Sequence, residues 1–247
     1  MSTVASTNRL DRPEMTLRTI EPAQHTAAKV AGFLYLFTMV TSIFAFYARG
    51  RLIVGGDAVQ TAGNIAASER LFRVATISDL IMVAGVVMLV WALYVVLKPI
   101  NKNVALLAAF WRLAECSILA VTTLNAFAAV ALLSGDDYLR AVDTQQLQAL
   151  VYTFLRVHGA GFQIAFVFLG LGSTVFSYLW FKSRYIPRAL AALGIFGSLV
   201  LAIVTLAIMV FPGLSAVGLA CMVPMFFYEV GLGLWLLVKG LQAPMDE

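Results

Sequence analysis

Apolar residues gather along this chain into six long stretches, separated by short segments that carry most of its charge, glycine and proline. A helix rises about 1.5 Å per residue, so about 20 apolar residues cross a hydrocarbon core of about 30 Å. Each stretch meets that length. The predicted spans run from about Ala28 to Tyr47, Phe72 to Leu97, Val104 to Leu133, Thr144 to Phe181, Pro187 to Val210 and Leu214 to Val238. The second and third are long enough to tilt, and the fourth opens on a polar stretch whose outer end should stand above the membrane. Pro187 suits a first helical turn, and Pro212-Gly213 separates the last two spans.

The connections differ in character on the two sides. RLIVGGDAVQTAGNIAASERLFR, between the first two spans, places Asp57 after two glycines as a helix cap. Ala58, Ala62, Ile65 and Ala66 then recur at helical spacing opposite Gln60, Asn64 and Glu69. This pattern predicts a short amphipathic helix on the outer surface that feeds the second span. DDYLRAVDTQQLQAL, with Asp136, Asp137 and Asp143 near capping positions, predicts a second outer cap. KPINKN and KSRYIPR, on the opposite side, are short turns. The organisation expected is a polar tail over residues 1–27 without the apolar run of a cleaved signal, a six-span domain over 28–241, and a tail over 242–247. The fold class is therefore an all-α membrane bundle of six spans with short amphipathic helices outside.

Composition agrees with that class: 61% of the residues are hydrophobic and 12% charged, against about 25% charged in soluble domains. The mean hydropathy is +0.90. The pI of 9.2 does not make a nucleic-acid binder, because 17 Lys and Arg against 13 Asp and Glu leave a net charge of only +4 and no basic block. The surplus orients the chain instead. With a cytoplasmic amino terminus, Arg9, Arg12, Arg18, Lys29, Lys98, Lys102, Lys182, Arg184, Arg188 and Lys239 fall inside, whereas Arg49, Arg51, Arg70, Arg73 and Arg140 fall outside. Both termini are thus expected in the cytoplasm and the chain in the bacterial inner membrane. Trp91, Trp180 and Trp235, near the inner lysines, fit an interfacial aromatic belt.

Charge is scarce inside the spans, and each ionisable group there costs about 2.5–3.5 kcal/mol to insert, so the few present should face inward and find partners. Counting helix rise from the inner lysines puts Arg112 and Glu229 both about 15 Å up and Glu115 about 20 Å up. Arg112 and Glu229 would meet at the midplane if their spans are neighbours, and Glu115 shares a helical face with Arg112. One arginine and two acids leave one negative charge, which a proton on Glu115 would neutralise. Higher up, Asp79 and Gln163 fall at about 28 Å and Asn125, His158 and Arg156 at about 34–39 Å. Arg156, Gly159, Gln163 and Gly170 share a stripe of the fourth span, and Asp79 is a candidate ion-pair partner for Arg156 or His158. Either these groups only fix helix register and close packing, or they line an outward-opening cavity whose floor is Arg112, Glu115 and Glu229.

KVAGFLYLFTMV, RLIVGGDAVQTAGNIAASERLFR, LYVVLKPINKNVALLAAFWRLAE, LRVHGAGFQIAFVFLGL and IPRALAALG resemble the bacterial membrane family called domain of unknown function 4386, over roughly residues 28 to 240. The resemblance implies a helical inner-membrane protein and transfers no activity and no site residue.

Two histidines, His25 inside and His158 outside, cannot together ligate one haem iron, and no paired Glu-x-x-His pattern marks a di-metal site. No metal and no cofactor are expected. Ser173 in Gly170–Ser173 lies fifteen residues from His158 on one helix, about 22 Å away, too far for a catalytic dyad. Cys116 and Cys221 both lie in spans and indicate no disulfide. Three functions stay open. The leading one is binding or carriage of a small amphipathic or lipid-like ligand in the outward cavity; the others are a membrane enzyme using Glu115 or Asp79 beside His158, and a structural or assembly subunit. The expected partners are the lipid bilayer and such a lipid-like molecule, and no nucleic acid.

Overall fold

The computed structural model describes residues 20–134 and 141–242. The two tails expected at residues 1–27 and 242–247 lie largely outside that range, as do Asp136 and Asp137 of the expected second cap. Among the described residues the chain is helical throughout: α1 (Pro22–Leu52), α2 (Ala58–Ala67), α3 (Glu69–Leu97), α4 (Lys102–Ala131), α5 (Thr144–Ser183), α6 (Arg188–Val210) and α7 (Gly218–Val238). A 3-10 turn, Pro212–Val217, joins the last two. Six of these elements are long and apolar enough to cross a membrane.

Helix boundaries depart from the apolar boundaries where polar side chains find partners. α1 begins at Pro22, ahead of the apolar run, because Gln24 ties the start down: its Oε1 accepts the Glu21 N–H at 3.1 Å and its Nε2 donates to the Val96 carbonyl at 2.9 Å. At its other end α1 runs on past Tyr47 to Leu52, which brings Arg49 onto the helix. Asn101 caps α4 through the Val104 N–H at 3.1 Å. Asp143 caps α5 by accepting from Gln145 and Gln146, and the 40 residues that follow make a helix about 60 Å long, far more than a bilayer core requires. Its first turns therefore overhang the bundle.

The spans close into a ring. Each packs on its neighbour in chain order, α1 on α3, α3 on α4, α4 on α5, α5 on α6 and α6 on α7, and α7 returns to pack on α1. Small residues line the inside of this ring, with Ala28, Ala31, Ala105 and Ala108 wholly buried, while Phe33, Val40, Trp91, Phe110, Ile203 and Phe227 stay exposed on the outside. That inside-out distribution suits a hydrocarbon solvent, in which close backbone approach rather than apolar burial holds helices together. Gly197 shows the approach, since a Cβ there would lie 2.9 Å from the Met225 nitrogen beside Pro224 of α7. One expectation changes here. Trp91 faces outward, but Trp180 is wholly buried in the core, in the same cluster as Tyr185 and Ile186.

α2 forms as the loop pattern predicts, and it packs mainly on α5. The Asp57 carboxylate accepts the Gln60 N–H at 2.8 Å, Thr61, Ala62 and Ile65 are buried, and Tyr152 on the overhanging part of α5 accepts the Gly56 N–H at 2.7 Å. Ile65 joins Leu52, Phe72, Ala126, Val130, Val151 and Leu155 in a second, outer core. Asp57→Ala is expected to cost about 1 kcal/mol locally. Amide exchange should speed up across residues 58–65 while the melting of the whole bundle stays unchanged.

Candidate functional site

Charged side chains enter the ring at two levels. The deeper level is built from α4 and α7, which stand on opposite walls of the ring. Arg112 and Glu115 share one face of α4 and are both 3% exposed, with Arg112 Nη1 2.7 Å from Glu115 Oε2. The two side chains form a buried ion pair within one helix. Glu229 faces this pair from α7, within electrostatic reach of both. It has no ion pair in contact and no hydrogen bond among the described residues, and it alone of the three keeps some exposed surface.

Glycines make room for this level. A Cβ on Gly172 of α5 would lie 2.7 Å from Arg112 Cγ and 3.1 Å from the Ala108 carbonyl, so the arginine stem crosses α5 where α5 has no side chain. Gly194 of α6 does the same for Tyr228, whose ring passes over it to reach Ser177 on α5. The Ser177 Oγ and Tyr228 Oη lie 2.9 Å apart. Tyr35 of α1 stands beside Tyr228. Two buried tyrosines and a serine thus join the three charged residues, drawing on four of the six walls. These hydroxyls escape a sequence reading, because tyrosine and serine scattered in apolar helices look like core; the adjacency of Tyr228 to Glu229 and the glycine at position 194 are the signals that point to them.

The second level, on the side expected to be outer, joins α1, α3 and α5. Arg49 holds Asp79 in a two-pronged ion pair, Nη1 to Oδ2 at 2.5 Å and Nη2 to Oδ1 at 2.9 Å. His158 Nε2 stands 3.8 Å from Asp79 Oδ2, beyond hydrogen-bonding distance, and has no hydrogen-bond partner among the described residues. Phe162 backs the group, 5.8 Å from the Arg49 guanidinium and 5.0 Å from the histidine ring. Asp79 therefore meets His158, as the sequence allows, but its main partner is Arg49. Arg156 and Gln163 are exposed on α5 outside both groups, and Asn125 is half-buried and bonded to the Thr122 carbonyl of its own helix at 3.3 Å. The small-residue stripe splits likewise: Gly159 faces open space, whereas a Cβ on Gly170 would lie 2.7 Å from the Ser198 carbonyl.

By helix rise the two levels stand about 13 Å apart along the bundle. Their charge balance differs. Arg49 and Asp79 cancel, leaving histidine to add charge only when protonated, whereas one arginine against two glutamates leaves the deeper level one negative charge in excess. Among the described residues no three His, Cys, Asp or Glu side chains gather as a metal site.

A family model described as domain of unknown function (DUF4386) matches residues 30–240. The chain belongs to the DUF4386 family. The match takes in all six spans and both charged levels of this DUF4386 protein. No curated protein and no solved structure matches it.

Proposed function

We propose that this DUF4386 protein binds or carries a small amphipathic, lipid-like molecule in a cavity open to the outer side, with Arg112, Glu115 and Glu229 at its floor. The observation that carries the reading is the convergence of three ionisable side chains from opposite walls of the ring at mid-depth. A register device needs only neighbouring helices, and α4 and α7 are not neighbours in the ring. Elaboration at one end, by α2 and the overhang of α5, supports an opening on that side. Lys98, Lys102, Lys182, Arg184, Arg188 and Lys239 at the other end support placing that end in the cytoplasm, with the protein in the bacterial inner membrane.

Native mass spectrometry of the protein purified in mild detergent tests the reading. The wild type is expected to retain a small molecule, and a joint Arg112→Leu, Glu115→Leu, Glu229→Leu variant, still helical by circular dichroism, to lose it. A ligand-free wild type, or equal retention by the variant, would overturn the proposal.

The approach of His158 to Asp79 favours a second reading, a membrane enzyme with an acid/base pair at the outer level. Under that reading a retained molecule would survive the triple replacement and change chemically only when His158 is intact.

A further inference from the structure

The deeper level carries more acid than base, and the surplus can be assigned to one residue. Arg112 and Glu115 touch and sit on one helix, so their charges cancel locally. Glu229, on the opposite wall, has no such contact. The groups facing it are Arg112 and Glu115 from α4, Tyr35 from α1 and Tyr228 from its own helix. α6, which packs alongside, has Arg188 as its only charged residue, in its first turn. No described cation is left to neutralise Glu229, and an uncompensated carboxylate in a hydrocarbon environment is too costly to persist.

Two kinds of counter-charge fit: a proton, or a positively charged ligand. Both answer the same need, so they compete for the same oxygen atoms. The surroundings select the ligand's character. Tyr35 and Tyr228 stand within electrostatic reach of the carboxylate, and any cation that joins them must shed its water to reach mid-membrane, which favours a bulky, weakly hydrated monocation over a small hydrated ion.

We propose that Glu229 holds a proton while the central site is empty and exchanges it for a lipophilic monocation. This rests on the reading of the centre as a ligand site and adds the ligand's charge. In the exchange the carboxyl O–H bond breaks, the carboxylate keeps the electron pair and attracts the incoming cation, and the proton leaves to the aqueous phase. The net charge of the site is the same before and after.

The test uses the full chain in mild detergent and two probes of nearly equal shape and opposite charge, tetraphenylphosphonium and tetraphenylborate. Calorimetry is expected to show the cation binding at least about tenfold more tightly than the anion. An indicator dye in weak buffer should register about one proton released per cation bound, and the cation's affinity should fall as pH falls. Glu229→Gln, which keeps the shape and removes the charge, is expected to abolish proton release and weaken cation binding at least about tenfold. If that variant fails to fold, the probe comparison and the pH dependence in the wild type decide alone. Equal binding of the two probes, or proton release that persists in Glu229→Gln, would overturn the exchange while leaving a central ligand site standing. If neither probe binds and the wild type retains no molecule on purification, the underlying reading fails as well.

Discussion

Arg49→Leu is expected to destabilise the bundle by about 3–5 kcal/mol, the usual cost of removing one partner from a buried ion pair. The Asp79 side chain is 2% exposed, and both of its oxygens are bonded to Arg49. Without the guanidinium a buried carboxylate remains, with His158 too far away to hydrogen-bond it. Asp79→Leu should cost less. The Arg49 side chain is 12% exposed and sits in the last turn of α1, so it can swing toward the boundary and regain water. The double replacement Arg49→Leu/Asp79→Leu should recover most of the loss, since a buried pair exchanged for apolar side chains is often neutral. Equilibrium unfolding of the four proteins in mixed micelles measures the coupling directly. Equal losses in both single variants, with no recovery in the double one, would show that the two residues act independently.

A methyl group at Gly194 is expected to do damage of comparable size. The Cβ of Gly194→Ala would overlap Tyr228 Cε2 and lie 2.5 Å from Ser177 Oγ, and both groups are buried. Overpacking of this kind costs about 1–3 kcal/mol, against which the better helix propensity of alanine returns at most about 1 kcal/mol. The tyrosine should also leave Ser177, and the deeper charged level should loosen with it. Gly194→Ala is therefore expected both to lower the unfolding midpoint and to release any molecule retained at the centre. Adding Tyr228→Leu removes the ring that causes the overlap and should restore the midpoint without restoring retention. A Gly194→Ala protein as stable as the wild type would mean that α6 and α7 are not packed as tightly as these distances require.

The six spans and α2 are legible in the sequence because each depends on local information: a length of apolar chain, an amphipathic period, a capping aspartate. Asp57 and Ile65 illustrate this, as each occupies the position that its spacing predicts. The closed ring is not local. No residue in α7 states that α7 packs on α1, so Arg112 and Glu229 can be assigned one depth by counting but not opposite walls. Arg49 was hidden for a related reason. It stands beside Arg51, Arg70 and Arg73 in a segment whose arginines read as an external cluster, and only the extension of α1 to Leu52 turns it inward toward Asp79. Arg156 and Gln163 show the opposite error source. Their spacing with Gly170 is helical, but a helix of 40 residues that overhangs its bundle presents one face to different surroundings at different heights.

The placement of Glu115 three residues after Arg112 on one helix also bears on how the chain enters the membrane. Spans are made and inserted in order, and α4 arrives before α7 exists. An arginine whose only counter-charge lay on α7 would face lipid alone until α5, α6 and α7 had followed, at the cost of a bare charge in hydrocarbon. Because Glu115 travels with it, α4 inserts with its charge already matched, and Glu229 follows later on α7. The order of synthesis thereby leaves the unmatched acid on α7, the span that closes the ring against α1.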